Sequence, residues 1–165
     1  MKGKLKFMVI LLILLMPVFA FTRIGETVEE CEARYGKTLG KENNELGFRK
    51  GGFWIKVTFY QGIAESVSYI KEGPGIKISD NEIAILLQSN SGGKKWKECV
   101  FPVNIKGMKY WETEDGALIA IYHSFDHIPD DLFIVTKDSL DRQRAKEAKE
   151  MEEKEKDEKK RLEGF

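Results

Sequence analysis

Residues 53–70 read FWIKVTFYQGIAESVSYI, and this stretch decides the fold class. Apolar residues alternate with polar ones on both sides of Gln61-Gly62, and many are aromatic or β-branched, which is typical of two strands joined by a tight turn. The alternation leaves one apolar face and one face rich in Ser, Thr and Lys. We therefore expect a half-solvated antiparallel sheet with helices on its apolar face.

The register of this hairpin depends on its turn. A two-residue turn at Gln61-Gly62 would pair Phe59 with Ala64 and scatter apolar side chains over both faces. A type I turn with a glycine bulge, in which Gly62 is left-handed, gathers one apolar face. That register pairs Phe59 with Ile63, Ile55 with Val67, and Phe53 with Tyr69. Since a shift of one residue moves every side chain to the other face, we predict the bulged turn.

Two capping boxes mark an internal repeat. Residues 27–30 read TVEE and residues 79–82 read SDNE, so in each a hydroxyl caps an amide three residues on and a Glu reaches back. Each predicts a helix start. We expect the first helix to end at Gly36, and the second to end before residues 91–93, SGG.

Strand patterns follow each predicted helix. The first set covers residues 46–60, broken by Gly51-Gly52, and residues 63–70; the second covers residues 95–103, 108–111, 118–122 and 132–135. The sequence therefore predicts an α+β fold, with two helix-plus-antiparallel-meander repeats forming one sheet and helices on one face. In the second unit we expect the hairpin of residues 108–111 and 118–122 to carry apolar side chains on both of its faces. One carries Trp111, Ile119 and Ile121, and the other carries Met108, Tyr110, Leu118 and Tyr122.

The C-terminal segment, residues 137–165, has a different composition. Residues 137–163 hold ten residues of each charge sign, so this segment cannot build a core. Favourable i,i+4 pairs, such as Glu150 with Lys154, Glu152 with Lys156 and Glu155 with Lys159, still predict a helix. Leu140, Ala148 and Met151 do not form a heptad seam. We predict a solvated, charged helical tail.

The N-terminus has the pattern of an export signal. Lys2, Lys4 and Lys6 precede an apolar run, residues 7–16, and Val18 and Ala20 stand at the small-residue positions before a cleavage site. The alternative is an uncleaved membrane anchor over residues 5–21, but this run is shorter than the roughly 20 residues of a spanning helix. We predict a signal peptide (1–20), an α+β domain (21–136) and the tail, in the periplasm or outside the cell.

Charge argues against a nucleic-acid partner. The chain has 27 basic and 27 acidic residues, and loss of residues 1–20 removes three lysines, which leaves 24 against 27. The lysines are interleaved with glutamates, so no basic patch that would bind phosphates is evident. Glycine-rich steps at residues 73–75 and 91–93 lack the context of a phosphate loop and are interpreted as turns. No cofactor is predicted.

The two cysteines leave two alternatives open. Cys31 and Cys99 could pair in an oxidising compartment. Cys31 lies on the core-facing stripe of the first predicted helix, however, where a buried free thiol is equally natural.

Several motifs resemble known groups of proteins. Residues 25–27 (GET), residues 31–36 (CEARYG) and Gly51-Gly52-Phe53 resemble short exported bacterial proteins of unknown function. The doubled helix-plus-meander order is similar to the SmpA/OmlA lipoproteins and to the β-lactamase-inhibitor-protein fold. The lipobox cysteine is missing, and Thr38 stands where a proline is common. The resemblance implies an α+β module that binds another protein through its sheet.

Few residues offer chemistry. His123 and His127, four residues apart, are the weak candidates for a metal site, but Pro129 and a preceding strand argue against the helix that such a pair needs. Cys99, His123 and Asp126 could in principle act as a nucleophile, a base and an acid. No family signature surrounds Cys99. A small thiol- or metal-dependent enzyme is therefore kept only as the alternative to a binding module.

The aromatic residues near the hairpins favour binding. Trp54, Tyr60, Tyr110 and Trp111 are of the types enriched where proteins meet, although such residues can also pack within a sheet. We therefore predict a non-enzymatic protein-binding or scaffold module whose partner is another envelope protein.

Overall fold

The computed structural model describes residues 23–73, 75–99 and 105–163. These residues adopt an α+β fold, with three helices and one eight-stranded antiparallel sheet. The predicted export signal, residues 1–20, lies outside the described residues. None of the helices in the described ranges combines the length and apolarity that crossing a bilayer requires.

The first unit begins with helix α1, Val28–Tyr35. Its predicted capping box forms: Thr27 Oγ1 accepts from the Glu30 backbone N–H at 3.3 Å, and Glu30 Oε2 accepts from the Thr27 N–H at 2.8 Å. The helix ends at Gly36, whose φ of 94° favours glycine. Four strands follow: β1 Gly40–Glu42, β2 Glu45–Lys50, β3 Phe53–Tyr60 and β4 Ile63–Lys71.

The second unit repeats this order. Helix α2, Asp80–Asn90, has Ser79 as its N-cap and Glu82 as the reciprocal member of its capping box. The strands that follow are β5 Trp96–Cys99, β6 Met108–Thr113, β7 Leu118–His123 and β8 Asp131–Thr136. Two helix-plus-meander repeats are thus present, as predicted, and β1 is the strand that the sequence pattern did not indicate.

The two meanders join through their last strands. The strand order is β1-β2-β3-β4-β8-β7-β6-β5, so β4 and β8 are neighbours at the centre and β1 and β5 are the two edges. Each unit therefore supplies half of the sheet.

One face of the sheet, the core face, packs against α1 and α2. Tyr35 of α1 lies over Phe48 of β2, with ring centroids 5.3 Å apart. Leu87 of α2 accepts a hydrogen bond from the Trp96 indole at 2.8 Å. The buried apolar residues of both helices and of the strands form one cluster. Burial of this cluster, at about 25 cal/mol per Å² of apolar surface, is the main stabilising contribution.

The register of the β3–β4 hairpin differs from the prediction. Tyr60 pairs with Ile63 across a two-residue turn, because Gln61 and Gly62 both have positive φ, 51° and 82°. The bulge lies further along: Phe59 pairs with Ala64 but Thr58 with Ser66, which leaves Glu65 unpaired. The predicted pairings were therefore wrong. Because Glu65 is bulged, Val67 and Tyr69 of β4 still lie on the same side of the sheet as Val57 and Ile55 of β3.

The β6–β7 hairpin also corrects a prediction. Trp111 pairs with Ala120, and Tyr110 pairs with Ile121. Because paired residues point to the same side of a sheet, Trp111 belongs to the core face and Ile121 to the opposite one. The prediction that these two share a face was wrong. The alternation within each strand shows which of its own residues share a face, but not which face of β6 matches which face of β7.

The charged C-terminal helix is present as α3, Lys137–Leu162. It follows β8 without a linker, with Thr136 as its N-cap. None of its residues is buried, and those from Asp141 onward are exposed. The predicted pair of Glu152 and Lys156 forms, with 2.6 Å between Oε1 and Nζ.

Candidate functional site

The candidate site is the side of the sheet opposite to α1 and α2, which we call the outer face. The strand registers arrange its side chains from β2 to β6 in three rows. The rows are Arg49, Trp54, Ile70, Asp131, His123 and Met108; Gly47, Lys56, Ser68, Phe133, Ile121 and Tyr110; and Glu45, Thr58, Ser66, Val135, Ile119 and Glu112. The second and third rows change from polar to mostly apolar where β4 meets β8.

The polar half of the outer face, on β2 to β4, is held by charge pairs and hydroxyl groups. Lys56 Nζ lies 3.2 Å from Glu45 Oε2. Thr58 donates its hydroxyl hydrogen to Glu45 Oε1 at 3.4 Å. Charged groups here are thus paired with each other, which limits the cost of their partial burial.

Asp131 is the acidic group at the centre of the outer face. Burial raises the pKa of its carboxyl, and a hydrogen bond from Ser68 at 3.4 Å and the nearby His123 and Lys56 act in the opposite direction. Its Oδ1 is buried without a hydrogen-bond partner. Asp131 stands between Ser68 and His123, whereas a hydrolytic triad needs the imidazole in the middle. These three residues therefore do not reproduce that catalytic arrangement.

The apolar half of the outer face lies on β6 to β8. Tyr110, Ile119, Ile121 and Phe133 are half-buried there, and Val135 is buried. Neither α1 nor α2 packs on this side. The apolar half is a continuous surface made by three neighbouring strands.

Helix α3 is fixed to the polar half by one contact group, the Arg142 clasp, which consists of Arg142, Tyr60 and Glu65. The Arg142 guanidinium lies 4.1 Å from the centroid of the Tyr60 ring and forms an ion pair with Glu65. The bulge at Glu65 turns this carboxylate toward the outer face, because a bulge re-aims a side chain. The sequence gives no signal for this contact, since 77 positions separate Arg142 from Glu65.

A polar groove of about 500 Å³ lies between α3 and the strands, and we call it the helix groove. Its lining residues are Asn44, Glu45, Lys56, Thr58, Glu65, Ser66, Ser68, Phe133, Val135, Ser139, Arg142, Gln143 and Lys146. A second hollow of about 290 Å³ adjoins it, shares Glu45 and Lys56, and includes Trp54. Sequence reasoning did not find the helix groove, because α3 completes it.

The predicted binding aromatics divide between the two faces. Trp54, at 36% exposure, and Tyr60, at 47%, lie on the outer face, and so does Tyr110. The Trp54 ring lies over Gly47, where an added Cβ would be 3.0 Å from Cζ2. Trp111 packs against the core cluster instead. Three of the four candidates thus share a face with the helix groove.

The cysteines are free thiols in this structure. Cys31 is buried between α1 and the sheet, near β2, whereas Cys99 is on the opposite edge strand. Six strand spacings separate β2 from β5, on the order of 29 Å, while a disulfide needs Cα atoms about 4.4 to 6.8 Å apart. A disulfide between them does not fit this fold. Burial and the neighbouring Glu26 raise the pKa of Cys31 to about 12.

The candidate chemical residues are not brought together. Cys99 and His123 are two strand spacings and two residues apart, on the order of 12 Å. His123 stacks on Phe125 with 6.1 Å between ring centroids, and His127 is exposed in the β7–β8 loop. Within the described ranges, no group of three or more His, Cys, Asp or Glu side chains is placed to hold a metal ion.

Comparisons with known proteins give only weak similarities. No family model matches the chain, and no curated protein matches it. The chain is similar to a cysteine-rich secretory protein of Staphylococcus aureus subsp. aureus Mu50, at 14% identity and a TM-score of 0.42, over 71% of this chain and 46% of that one. It therefore spans less than half the length of that protein.

A second similarity is to a DUF4309 family protein of Bacillus subtilis subsp. subtilis str. 168. The identity is 13% and the TM-score 0.37, over 68% of this chain and 79% of that one. At identities and TM-scores this low, neither similarity assigns a family or a function to the chain.

Proposed function

We propose that the protein is an exported, non-enzymatic binding module of the cell envelope, and that another protein docks on the outer face of its sheet. The observation that carries this proposal is the placement of both repeat helices on the core face. Neither repeat helix covers the apolar half of the outer face, which adjoins α3 at Phe133 and Val135. Apolar patches with aromatic members are typical of surfaces where proteins meet.

Export is supported by the N-terminal sequence. Three lysines followed by the apolar run of residues 7–16 form the pattern that a secretory pathway reads. The same pattern motivates an envelope partner rather than a cytosolic one.

Binding suits the chemistry of this face better than catalysis does. Lys56 is paired with Glu45, and Arg142 with Glu65, so these charges stabilise the surface. A catalytic acid or base needs a reachable group whose neighbours converge on one reacting atom. Asp131, a half-buried acid of the face, has an Oδ1 that solvent does not reach.

The test is photo-crosslinking in cells from single positions. A photoreactive residue at Ile119, on the apolar half, is compared with one at Ile85, which is 55% exposed on α2. We expect Ile119 to capture one envelope protein in stoichiometric yield and Ile85 to capture none.

A charge substitution completes this experiment. Ile119→Lys should abolish co-purification of the captured protein with the chain, whereas Ile85→Lys should leave it unchanged, because a buried unpaired charge at an interface is costly. Capture of the same proteins from both positions, or co-purification that survives Ile119→Lys, would refute docking on the outer face.

A further inference from the structure

The helix groove has the volume of a ligand site and is open to solvent along one side. Its volume of about 500 Å³ lies within the range of small-molecule pockets, roughly 300 to 1,000 Å³. One wall is α3, which the Arg142 clasp holds in place, and the floor is the outer face of the sheet. The groove is thus a concave site between α3 and the sheet, which the Arg142 clasp joins.

The charges of the groove favour an uncharged ligand. Lys56 is paired with Glu45, and Arg142 with Glu65, while Lys146 lies 3.8 Å from Glu150 of its own helix. An ionic ligand would have to compete with these pairs, and because the pairs are substantially exposed to solvent, it would gain little from replacing one partner. A neutral ligand can accept from the cation and donate to the carboxylate of the same pair.

The neutral groups of the groove favour a ligand with many hydroxyls. They are the hydroxyls of Thr58, Ser66, Ser68 and Ser139 and the carboxamides of Asn44 and Gln143. Thr58, Ser68 and Asn44 each donate a hydrogen bond within the protein, so these three offer a ligand mainly their oxygen atoms as acceptors. A hydroxyl both donates and accepts a hydrogen bond, so such a lining is matched by a ligand whose polar groups also do both. Sugar hydroxyls have this property.

A peptide strand fits the groove less well. Strands β2, β3 and β4, which form much of the floor, are each paired on both sides. Addition of an extended peptide needs an unpaired strand edge, and the groove does not offer one. Phe133 and Val135 provide an apolar part of the floor, against which the apolar C–H side of a sugar ring can be buried.

We infer that the helix groove binds a neutral saccharide segment of two to three sugar units, at a site that adjoins the protein-docking surface proposed above and shares Phe133 and Val135 with it. The saccharide would lie between α3 and the polar half of the outer face, with hydroxyls on the Lys56–Glu45 pair and on Gln143.

The test is a titration of the purified chain followed by amide chemical shifts. The probes are the neutral trimer of N-acetylglucosamine, maltotriose, and the anionic trimer of galacturonic acid. We expect at least one neutral probe to shift the amides of Thr58, Ser66 and Gln143, with a Kd on the order of 1 mM. The anionic probe should bind more weakly than that neutral one.

Matched variants locate the site. Gln143→Trp places a large side chain at the groove, and Gln88→Trp makes the same change on the exposed surface of α2. Gln143→Trp should weaken binding by about tenfold or more, and Gln88→Trp should leave it unchanged. Absence of groove shifts with both neutral probes, equal binding by the two variants, or tighter binding of the anionic trimer would overturn the proposal. None of these outcomes depends on the crosslinking result at Ile119.

Discussion

The substitution Tyr69→Phe removes one oxygen from the centre of a buried hydrogen-bond cluster beneath α1 and α2. The Tyr69 hydroxyl accepts from Arg23 at 3.0 Å and from Asn90 Nδ2 at 3.2 Å, and it lies 3.0 Å from the Tyr35 hydroxyl. Because a hydroxyl oxygen has two acceptor sites, and both are used, Tyr69 must donate its own hydrogen to Tyr35. Tyr69 is 1% exposed and Asn90 is 0% exposed, so water cannot replace the lost oxygen.

The expected loss follows from these three hydrogen bonds. Each contributes about 0.5 to 1.5 kcal/mol, and a buried group left without a partner costs about 1 to 3 kcal/mol. Arg23 is half-buried, so its share is at the lower end of that range. We expect the free energy of unfolding to fall by about 3 kcal/mol, and the Tm by roughly 6 to 12 °C for a domain of this size.

The measurement is urea unfolding of the purified chain, followed by tryptophan fluorescence and by circular dichroism. Tyr35→Phe serves as the first comparison, because it removes one of the three hydrogen bonds. Tyr60→Phe is the matched control, since Tyr60 is 47% exposed and its ring still faces Arg142 after the change. The expected order of destabilisation is Tyr69→Phe, then Tyr35→Phe, then Tyr60→Phe, with the last below about 0.5 kcal/mol.

A loss for Tyr69→Phe that equals the loss for Tyr35→Phe would refute this reasoning. It would mean that the hydrogen bonds from Arg23 and Asn90 to Tyr69 contribute nothing to stability. An unchanged m-value is required for the comparison, because a changed m-value would indicate an altered denatured state.

Three further predictions concern the thiol, a glycine and a helix cap. Folding raises the pKa of Cys31 from 9.0 to about 12. Between these two pKa values the unfolded chain binds fewer protons than the folded chain, so the free energy of unfolding falls by about 1.4 kcal/mol per pH unit as pH rises above 9. Cys31→Ala should reduce this slope in urea titrations at several pH values. Gly107→Ala should lower the free energy of unfolding by at least about 2 kcal/mol, because φ is +88° and the new Cβ would lie 2.3 Å from the Ser124 carbonyl oxygen. Gly51→Ala, at φ +61° in open space, should lower it less when both variants are compared by thermal unfolding. Thr27→Ala should lower the free energy of unfolding by about 1 kcal/mol through loss of the N-cap, and a change below about 0.3 kcal/mol would contradict a stabilising role for this cap.

The parts of the fold that sequence predicted well depend on local physical rules. Both capping boxes formed, since a hydroxyl and a Glu three residues apart act within one helical turn. The apolar face of β3 was predicted correctly because alternation is a property of a single strand. The short strand β1, Gly40–Glu42, has no such alternation and all three residues are exposed. The side chains of β1 therefore give no indication that it pairs with β2.

The errors arose where two strands had to be placed relative to each other. At Glu65 one unpaired residue shifts the register of β4, and nothing in the alternation shows on which strand the extra residue lies. In β6 the aromatic pair Tyr110 and Trp111 could face either way, and only the partner strand decides that Trp111 joins the core. The Arg142 clasp is a contact of the same long-range kind, since it joins the β3–β4 hairpin to α3.

The path of α3 links the tail's composition to the organisation of the outer face. The helix starts at the centre of the sheet, at the end of β8, and its first turns lie over the polar half, where Arg142 meets Tyr60 and Glu65. A helix with ten charges of each sign in and around it and no buried residue gains little from covering a wide apolar surface, because its charges would lose solvent there. It packs mainly where hydroxyls and ion pairs are available, and it meets the apolar half at Phe133 and Val135. If both proposals hold, a protein on Tyr110, Ile119 and Ile121 and a saccharide in the helix groove would lie side by side on one sheet, with Phe133 and Val135 at the boundary between them.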